Sequence, residues 1–525
     1  MAKLEIPNEI KEVAEKLQEA GFKAYLVGGS VRDILLARQN FSEGNLDGRD
    51  PEPKDWDIST DAKPEEIQKI FPESVYENQF GTVGVKVDSD DKKLKIVEIT
   101  TFRLEGKYTD KRHPDEIRFA KTIEEDLSRR DFTINSIALK LPITNYQLLE
   151  VIDPFDGGKD LKNKIIRTVG NPRERFNEDA LRLMRAVRFA VELSSYAGSR
   201  EVRDFSASMS GPALGWEIEK ETREAVKNEA GLLEMITKER IRDEFEKIIM
   251  SRQATKGIIL LEELGLLRYV MPELREGINC GQNKHHIYTV FEHNVRALNY
   301  AVEKDYSLVV RIASLLHDVG KPRTKQGDGP DSTFYNHEVV GAKMAFQILD
   351  RLRFSKEIVE KAVHLVRCHL FYYNVGEVTA AGVRRFLQRV GPENVPDLLK
   401  VREADRIGSG VPKAFPYKLR HLLFMIDKVK HDPVSPKMLK INGTEIMKIL
   451  GISPSPRVGR ILGIILDEVL DEPKNNEPAS LKKRVQELGK FSDEELQGLA
   501  EKAKLKKDEF ESGVEEEMKR KYYVK

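Results

Sequence analysis

Cysteine is nearly absent from the sequence, which has only Cys280 and Cys368 among 525 residues. So few cysteines exclude a disulfide framework and a cysteine metal cage, and they indicate a reducing compartment. The first residues, MAKLEIPNEI, lack the apolar core of a secretory signal, and no run of 18 uncharged apolar residues follows. We therefore expect a cytoplasmic protein that does not span a membrane.

Net charge is also absent, because 87 Lys and Arg residues balance 87 Asp and Glu residues. A neutral molecule has no global field that would draw it to nucleic acid, so any RNA contact must use local basic patches. The chain is too long for a single hydrophobic core, and its composition, 33% charged and 40% hydrophobic, is typical of globular domains. Nothing in the sequence fixes the oligomeric state.

Two hydrophobic patterns divide the chain. Short β-rich runs, TVGVKV at 82–87 and KIVEITTF at 95–102, alternate with helical segments in the first 150 residues. After about residue 160 the helical period dominates and is interrupted by Gly and Pro. These patterns predict an α/β head followed by an all-α body.

A glycine turn is the first informative motif. In GGSVRDILL, residues 28–36, two glycines follow a buried-strand pattern and a serine opens a helical pattern. Such a turn lets the backbone approach an anion, and the helix N-terminus favours negative charge. We expect nucleotide binding by Gly28, Gly29, Ser30 and Arg32.

A pair of carboxylates follows the turn. In PKDWDIST, residues 53–60, Asp55 and Asp57 are two apart on an extended stretch, so their side chains share one sheet face. There they can ligate hard divalent cations. A phosphate-binding turn close to a metal-binding pair indicates nucleotide chemistry.

In this order, the two motifs resemble the active-site head of the DNA polymerase beta superfamily. They resemble most its class II tRNA nucleotidyltransferases, the bacterial CCA-adding and poly(A) polymerase family, with further matches at 98–103, 129–136, 153–161 and 178–190. The resemblance implies Mg2+-dependent transfer of a nucleotide to an RNA 3′-hydroxyl, with Asp55 and Asp57 as catalytic metal ligands. Glu98 is either a third carboxylate or a polar residue on a half-exposed strand.

The segment RRDFTINSIAL at 129–139 carries paired arginines before an aspartate. The guanidinium of Arg130 suits a phosphate, and the carboxylate of Asp131 can accept from ribose hydroxyls. The resemblance implies that this block selects ribonucleotides over deoxyribonucleotides. Two alternatives stay open: Arg129 as a solvated or RNA-facing charge, and Asn135 as a cap for local backbone.

The segment NEDALRLMRAVRFA at 177–190 places four charged residues on one side of an expected helix, and we predict that they bind nucleotide: Asp179, Arg182, Arg185 and Arg188. A carboxylate only accepts and a guanidinium only donates, so Asp179 and Arg182 complement the edges of C and A but not those of U and G. The resemblance implies that this pair selects C and A without a nucleic-acid template. A solvated, salt-bridged helix face is the alternative.

Four loops complete the predicted head and neck. DPFDGGKDL at 153–161 links the head to the helix, and its Gly-Gly pair is either a hinge between C and A states or an ordinary loop. KYTDKRHPDEI at 107–117 resembles the family's mobile loop near the nucleotide. The stretches 41–53 and 194–214 depart from the family pattern, and we expect both to be surface loops without an assigned function.

Most of the ten histidines lie between residues 285 and 369. A divalent metal of unknown identity is expected at His293, His317, Asp318 and Asp405. His337, with either His364 or His369, could hold a second ion or a substrate phosphate. The pattern resembles HD-domain phosphohydrolases, and both a retained hydrolase and a plain scaffold stay open.

Four segments are therefore expected: a nucleotidyltransferase head (1–150), a helical neck that selects bases and binds RNA (151–279), an HD domain (280–410) and a helical tail (411–525). The tail contains MLKINGTEIMKILGISPSPRVGRILGIILDEVL at 438–470, which resembles the family's tRNA-holding tail. A plain helical cap is the alternative for this segment.

The resemblance implies template-independent addition of CCA to tRNA from CTP and ATP. A poly(A) polymerase shares every motif, and an enzyme that adds only CC or only A differs chiefly in the mobile loop and neck. From other classes, an HD phosphohydrolase with a nucleotide-binding head, a protein uridylyltransferase and an RNA-binding scaffold stay open. The pair at 179 and 182 argues against the uridylyltransferase.

Overall fold

A computed structural model describes residues 6–42, 53, 55–76, 81–91, 94–105, 117–141, 150–194, 215–283, 287–410, 414–430, 439–503, 520–521 and 523. Apart from their ends, the loops expected at 41–53, 107–117 and 194–214 lie outside these residues. The chain divides into two compact units, one formed by Met1–Leu370 with Pro396–Ala414 and the other by Phe371–Val395 with Phe415–Lys525.

A mixed sheet organises the start of the first unit. Its strand order is β3-β4-β5-β2-β1-β8-β9, with β2 and β5 parallel and the other neighbours antiparallel. The strands are β1 (Ala24–Val27), β2 (Asp57–Thr60), β3 (Ser74–Tyr76), β4 (Thr82–Lys86), β5 (Ile96–Thr101), β6 (Arg103–Glu105), β7 (Ile117–Phe119), β8 (Ala138–Lys140), β9 (Val151–Ile152), β10 (Ile165–Ile166) and β11 (Glu217–Ile218). Strands β6–β7 and β10–β11 form separate two-stranded pairs.

Helices of the head cover this sheet, and the buried positions of the first helix, Ile10, Val13, Ala14 and Leu17, follow helical spacing. The head helices are α1 (Asn8–Glu19), α2 (Gly29–Ser42), α3 (Pro64–Ile70), α4 (Ile123–Ser128) and α5 (Gly157–Asn163). A capping box between Thr122 and Glu125 fixes the start of α4. The predicted α/β head is confirmed.

Apart from the short pair β10–β11, the rest of the first unit is helical, as the sequence predicts. Its helices are α6 (Pro172–Glu178), α7 (Leu181–Ser194), α8 (Lys220–Asn228), α9 (Lys238–Met250), α10 (Ala254–Glu263), α11 (Leu267–Val270), α12 (Pro272–Arg275), α13 (Val290–Glu303), α14 (Leu308–Leu316), α15 (Lys321–Thr324), α16 (His337–Arg351) and α17 (Lys356–Cys368).

The second unit is also helical, and it contains α18 (Ala380–Val390), α20 (Tyr417–Lys430), α21 (Gly443–Leu450), α22 (Pro456–Asp471) and α23 (Pro478–Leu488). Between α18 and α20 in the chain, α19 (Val395–Gly408) returns to the first unit after its first residue. Ile446, Ile461 and Val485 are fully buried in a core that α21, α22 and α23 share. Among the described residues, no helix has the length and apolar character needed to cross a membrane.

Candidate active site and metal centre

The register of three strands brings the glycine turn and the carboxylates together. Antiparallel pairing sets Asp57, the first residue of β2, opposite Val27 at the end of β1. Parallel pairing sets the same aspartate opposite Glu98 on β5. Asp55 lies two residues before, on an exposed stretch. Three carboxylates therefore lie beside the turn that follows β1.

Gly28 shows how closely these groups approach one another. Its φ of +77° is unfavourable for any residue with a side chain. A Cβ at this position would also lie 3.3 Å from both Arg130 Nη1 and Asp57 Oδ2. The turn, a guanidinium and a carboxylate consequently meet at one point, and helix α2 begins at the next residue, Gly29.

The electrostatics at this point favour a cation. Burial raises the pKa of Asp57, the charge of Asp55 acts in the same direction, and Arg130 opposes both. A carboxylate that is costly to ionise beside another carboxylate becomes easier to ionise when a positive ion binds. The oxygen donors of Asp55 and Asp57, with Glu98 on the neighbouring strand, fit a hard divalent ion such as Mg2+.

Ser30 and Arg32, expected to face a nucleotide, already have partners inside the protein. Ser30 is buried and its hydroxyl donates to the carbonyl of Val27 at 3.1 Å. Arg32 donates to Asn135 Oδ1 at 2.9 Å and pairs with Asp33 at 2.8 Å. Their nucleotide-binding role stays a prediction, and Ser30 has its only hydroxyl proton directed at the turn itself.

Asp131 joins the head to helix α7. Its Oδ2 accepts from Arg185 Nε at 2.7 Å, and its Oδ1 accepts from Asn135 Nδ2 at 3.1 Å and from the Phe132 N–H at 2.8 Å. Burial acts to raise the pKa of Asp131, but Arg185 and Arg182 outweigh it and hold the pKa well below its usual range. The carboxylate thus stays ionised, and Asn135 bridges Asp131 and Arg32 instead of only capping local backbone.

Sequence reasoning missed Asp126, which neutralises both arginines of the 129–139 block. Its carboxylate, fully buried on α4, bonds to Arg129 Nη2 at 2.9 Å and to Arg130 Nη2 at 3.4 Å. The spacing of three and four residues is a signal that the sequence did contain. Arg129 is therefore paired inside the protein and is not a solvated charge.

The expectation of one continuous helix through Asp179 is wrong. Helix α6 ends at Glu178 and α7 begins at Leu181, and Asp179 has extended backbone angles, φ −134° and ψ 104°. Its Oδ1 accepts the N–H of Leu181 at 3.0 Å, which satisfies one donor at the start of α7. Arg240 of α9, which sequence reasoning missed, bonds to both carboxylate oxygens at 3.2 and 2.8 Å.

The arginines of α7 do not form a solvated face, so that alternative is also wrong. Arg182 is buried and donates to Glu178 at 2.7 Å and to the carbonyl of Arg129 at 2.9 Å. Arg188 is buried and its Nε lies 3.0 Å from a carboxylate oxygen of Glu244. Each guanidinium is held by the fold: Arg182 fixes the start of α7 against the head, and Arg188 fixes α7 against α9.

The Gly157-Gly158 pair is part of a helix and not an ordinary loop. Both N–H groups donate to Asp153, at 2.7 and 2.8 Å, where α5 begins. A Cβ on Gly157 would lie 2.2 Å from the carbonyl oxygen of Thr133, so close packing requires glycine there. A hinge function for the pair stays a prediction.

The histidine cluster forms a buried centre on helices of the first unit. The Nε2 atoms of His293 and His317 are 2.8 Å apart, and His293 Nε2 lies 3.1 Å from Asp318 Oδ2 and 3.4 Å from Asp405 Oδ1. One donor atom from each of these four residues falls within 4.8 Å of the others. The four expected ligands are therefore brought together.

A second group of donors shares Asp318. Its Oδ1 lies 3.4 Å from His337 Nε2 and 3.5 Å from His369 Nε2. Of the two histidines left open by the sequence, it is His369 that approaches the centre, whereas His364 lies 3.9 Å from the thiol of Cys368. Asp318 thus has one oxygen toward each group of donors.

The imidazole tautomers suit metal binding. The Nδ1 atoms of His317, His337 and His369 each face the carbonyl three residues earlier, at 2.7–2.8 Å. Because a carbonyl only accepts, each Nδ1 carries the proton, and in the neutral ring the Nε2 lone pair points to the centre. Burial lowers the pKa of His317, but Asp318 and Asp405 outweigh it and raise the pKa to about 10. The cluster therefore attracts a cation.

Lys321 is a residue of this centre that sequence reasoning missed. Its ammonium lies 2.5 Å from Asp318 Oδ2 and 2.7 Å from the side-chain oxygen of Gln282, and the lysine is buried. The motif HDVGK placed this lysine one helical turn after Asp318, so spacing was an available signal.

Comparison with known families divides the chain in the same order. The model described as "Poly A polymerase head domain" matches residues 24–167, and the one described as "Probable RNA and SrmB- binding site of polymerase A" matches residues 215–278. The model described as "HD domain" matches residues 290–408.

Individual relatives extend this similarity over most of the chain. The A-adding tRNA nucleotidyltransferase of Deinococcus radiodurans is 36% identical over 363 residues, which are 66% of this chain and 75% of the relative. The CCA-adding enzyme of Streptococcus thermophilus is 31% identical over 492 residues, 92% of this chain and 98% of the relative. A crystal structure of the Bacillus stearothermophilus CCA-adding enzyme in complex with CTP is 25% identical, with a TM-score of 0.52, and the match covers 91% of this chain and 96% of that one.

Proposed function

Because this chain belongs to the family of tRNA nucleotidyltransferases that the CCA-adding enzymes represent, we propose that it builds or repairs the 3′ CCA end of tRNA from CTP and ATP without a template. The observation that carries the proposal is that Arg130 and Asp57 both approach Gly28, and that Asp57 is paired with Glu98 on the neighbouring strand. There a phosphate-binding turn, a guanidinium and metal-binding carboxylates act on one triphosphate. We also propose that the protein works in the cytoplasm.

Asp55 and Asp57 are the proposed ligands for magnesium in the head. When bound, magnesium ions would lower the pKa of the RNA 3′-hydroxyl and neutralise the triphosphate and the departing pyrophosphate. The protein groups position the reactants for in-line attack on the α-phosphorus. Arg130 binds a phosphate, the N–H groups after Gly28 approach the triphosphate, and Asp131 accepts from a ribose hydroxyl.

Base selection is proposed for Asp179 and Arg182, which lie on both sides of the start of α7. An acceptor beside a donor complements the amino group and ring nitrogen that C and A share. Each side chain has an internal partner, Arg240 for Asp179 and Glu178 for Arg182, so the base must share or displace these contacts. Held in this way, the two groups have their spacing set before a nucleotide arrives.

The test is incubation with four tRNA transcripts that end before CCA, in C, in CC and in CCA. Each labelled nucleotide is supplied separately. The proposal expects CMP on the first two ends, AMP on the third and no further addition to the complete end. A ladder of AMP on every transcript would identify a poly(A) polymerase instead. AMP on the CC end alone would identify an A-adding enzyme, as the Deinococcus relative is named.

A second activity is favoured by the buried histidine centre. We propose that His293, His317, Asp318 and Asp405 hold a divalent ion, with His337 and His369 available to a second ion or a phosphate. When bound, the ion would activate water for hydrolysis of a phosphate ester. Lys321 lies within this centre and adds a positive charge that suits a phosphate. The test measures release of phosphate from p-nitrophenyl phosphate, and conversion of 2′,3′-cyclic AMP to 2′- or 3′-AMP, with added Mg2+, Mn2+ or Ni2+.

A further inference from the structure

The second unit contains a cavity of about 370 Å3 that none of the roles above uses. Helices α18 and α20 and the segment before α18 enclose it, and the residues that decide its chemistry are Phe371, Tyr372, Tyr373, Arg385, Phe386 and Arg389. Its volume lies in the lower part of the range of small-molecule sites, about 300–1,000 Å3. Four aromatic rings and two arginines are an unusual lining for a cavity that merely results from imperfect packing.

The inner wall of the cavity is formed mainly by aromatic rings. Phe371 and Phe386 pack with ring centroids 5.2 Å apart and planes inclined by 57°. Tyr373 is buried, and its hydroxyl lies 2.5 Å from Nδ1 of His421 on α20. Burial raises the pKa of Tyr373 to about 12, so the phenol is neutral at physiological pH. This wall offers ring surface and no negative charge.

Tyr372 is different because the residue is 71% exposed and yet held in place by hydrogen bonds. Its hydroxyl donates to Glu377 and accepts from Asn374, and Lys418 donates in turn to Asn374. An exposed tyrosine ring without such hydrogen bonds can rotate freely in water. These hydrogen bonds therefore hold the ring of Tyr372 in one orientation at the rim of the cavity. Such a face is suited to stacking against a planar group.

Helix α18 adds positive charge to the same side of the cavity. Gly382, Arg385, Phe386 and Arg389 follow the i, i+3, i+4, i+7 spacing of one helix face. Both arginines are exposed, and neither forms an ion pair with a residue in the described part of the chain. Two guanidinium groups beside oriented rings match a ligand that combines a planar base with a phosphate.

We propose that this cavity receives an unstacked nucleotide of tRNA, with the base against Tyr372 and the phosphate on Arg385 and Arg389. The inference rests on the proposed action on tRNA and adds a contact within segment 371–389, which the sequence pattern assigned to the HD domain. Rings stack on any base, and the wall has few groups that could read a base edge. An RNA strand therefore fits the site better than one particular free nucleotide.

The experiment measures binding of a tRNA transcript that ends before CCA to the full-length protein, by fluorescence anisotropy at several salt concentrations. Loss of one base stack in Tyr372→Ala should weaken binding about 5- to 150-fold with little change in salt dependence. Tyr372→Phe keeps the ring and should bind more like wild type than like the alanine variant. Arg385→Ala should lower the slope of log K against log salt by about 0.7–0.9.

Arg384→Ala is the matched control, because Arg384 is an exposed arginine of the same helix that does not line the cavity. It should leave affinity and slope near wild-type values. Unchanged tRNA binding in both Tyr372→Ala and Arg385→Ala would overturn the proposal, and a protein partner for the cavity would then be favoured. The proposal would also be overturned if these variants lost only the binding of free CTP or ATP, measured without tRNA.

The outcome for the cavity can be separated from that for the proposed function. Wild type that extends the transcript with CMP and AMP, together with a Tyr372→Ala variant that binds normally, refutes the cavity site and leaves CCA addition standing. Wild type that neither binds nor extends the transcript refutes both. Because Tyr372 is mostly exposed, its replacement should leave the thermal melting temperature unchanged.

Discussion

The head and the histidine centre balance their charges in opposite ways. In the head and neck, the carboxylates of Asp126, Asp131 and Asp179 are each neutralised by arginines of the same chain. In the histidine centre, ring nitrogens and carboxylates converge with one buried ammonium, from Lys321, among them. The head can therefore keep its arrangement by itself, whereas the centre gains most from a bound cation.

The same contrast exists within the head and neck. Asp131 and Asp179 are held by guanidinium groups, but Asp57 has a raised pKa and another carboxylate close by. We infer that Asp131 positions the sugar and Asp179 positions the base, and that Asp55 and Asp57 bind magnesium. Internal neutralisation thus separates groups that hold the substrate from groups that take part in the chemistry.

The largest effect should come from Asp57→Ala. Loss of a metal ligand removes several kcal/mol of transition-state stabilisation, so we expect nucleotide addition to fall by at least about a thousandfold. Incorporation of labelled CMP into a tRNA that ends before CCA measures this. Asp55→Ala should behave in the same way.

Asp90→Ala is the matched control for these variants, since Asp90 is an exposed carboxylate of the same domain that is not part of the site. It should retain wild-type addition. Metal bound at the histidine centre should be equal in all three variants. An Asp57→Ala enzyme within about tenfold of wild type would remove this carboxylate from the chemistry.

The second largest effect concerns the other centre. His317→Ala combined with Asp318→Ala removes two proposed ligands, so we expect loss of the bound divalent ion and of any phosphate-ester hydrolysis. Addition of CMP and AMP should stay within about threefold of wild type, because the two sites use different residues. Metal content by mass spectrometry and both assays on one preparation test the division.

Thermal melting serves as the folding control for the double variant, since both residues are buried. A folded variant that has lost addition would mean that the histidine centre serves nucleotide transfer. Retained metal would mean that the ion binds elsewhere. Absence of hydrolysis in wild type as well would favour the scaffold interpretation and leave the head unaffected.

The contrast between the regions also explains what could be predicted from sequence. The strand at 24–27, the glycine turn and the strand at 96–101 follow from local patterns, and the structure has them where expected. The break before α7 could not be predicted from local patterns, because the residues around Asp179 have good helical propensity. Arg240, which binds Asp179, lies 61 residues away in the sequence. Similarly, the need for Gly157 arises from contact with the backbone of Thr133. Partners far apart in sequence leave no local signal.

The third largest effect tests whether Asp179 and Arg182, which have partners inside the protein, select the base. Arg182→Ala removes a donor to the base edge, so discrimination of C and A against U and G should relax by about 5- to 150-fold. Arg240→Ala leaves both base-reading groups in place but releases Asp179, and we expect a smaller loss of discrimination. Single-nucleotide incorporation with each of the four NTPs gives the ratios. Unchanged ratios in both variants would show that this helix start does not select the base.

The smallest effect should come from Asp131→Asn, which keeps the shape of the side chain but loses its charge. A hydrogen bond from a ribose hydroxyl to a carboxylate contributes about 1.5 kcal/mol or more, so the preference for CTP over dCTP should fall on the order of tenfold.

The substitution also weakens the pair with Arg185, so the variant should melt at a lower temperature at pH 7. Because the folded pKa of Asp131 is depressed, its stabilisation is fully present above the unfolded pKa of about 3.9 and is lost as pH falls toward the folded pKa. The difference in melting temperature between wild type and variant should therefore shrink below about pH 4. A shrinking difference with an unchanged CTP to dCTP ratio would mean that Asp131 only holds α7 against the head.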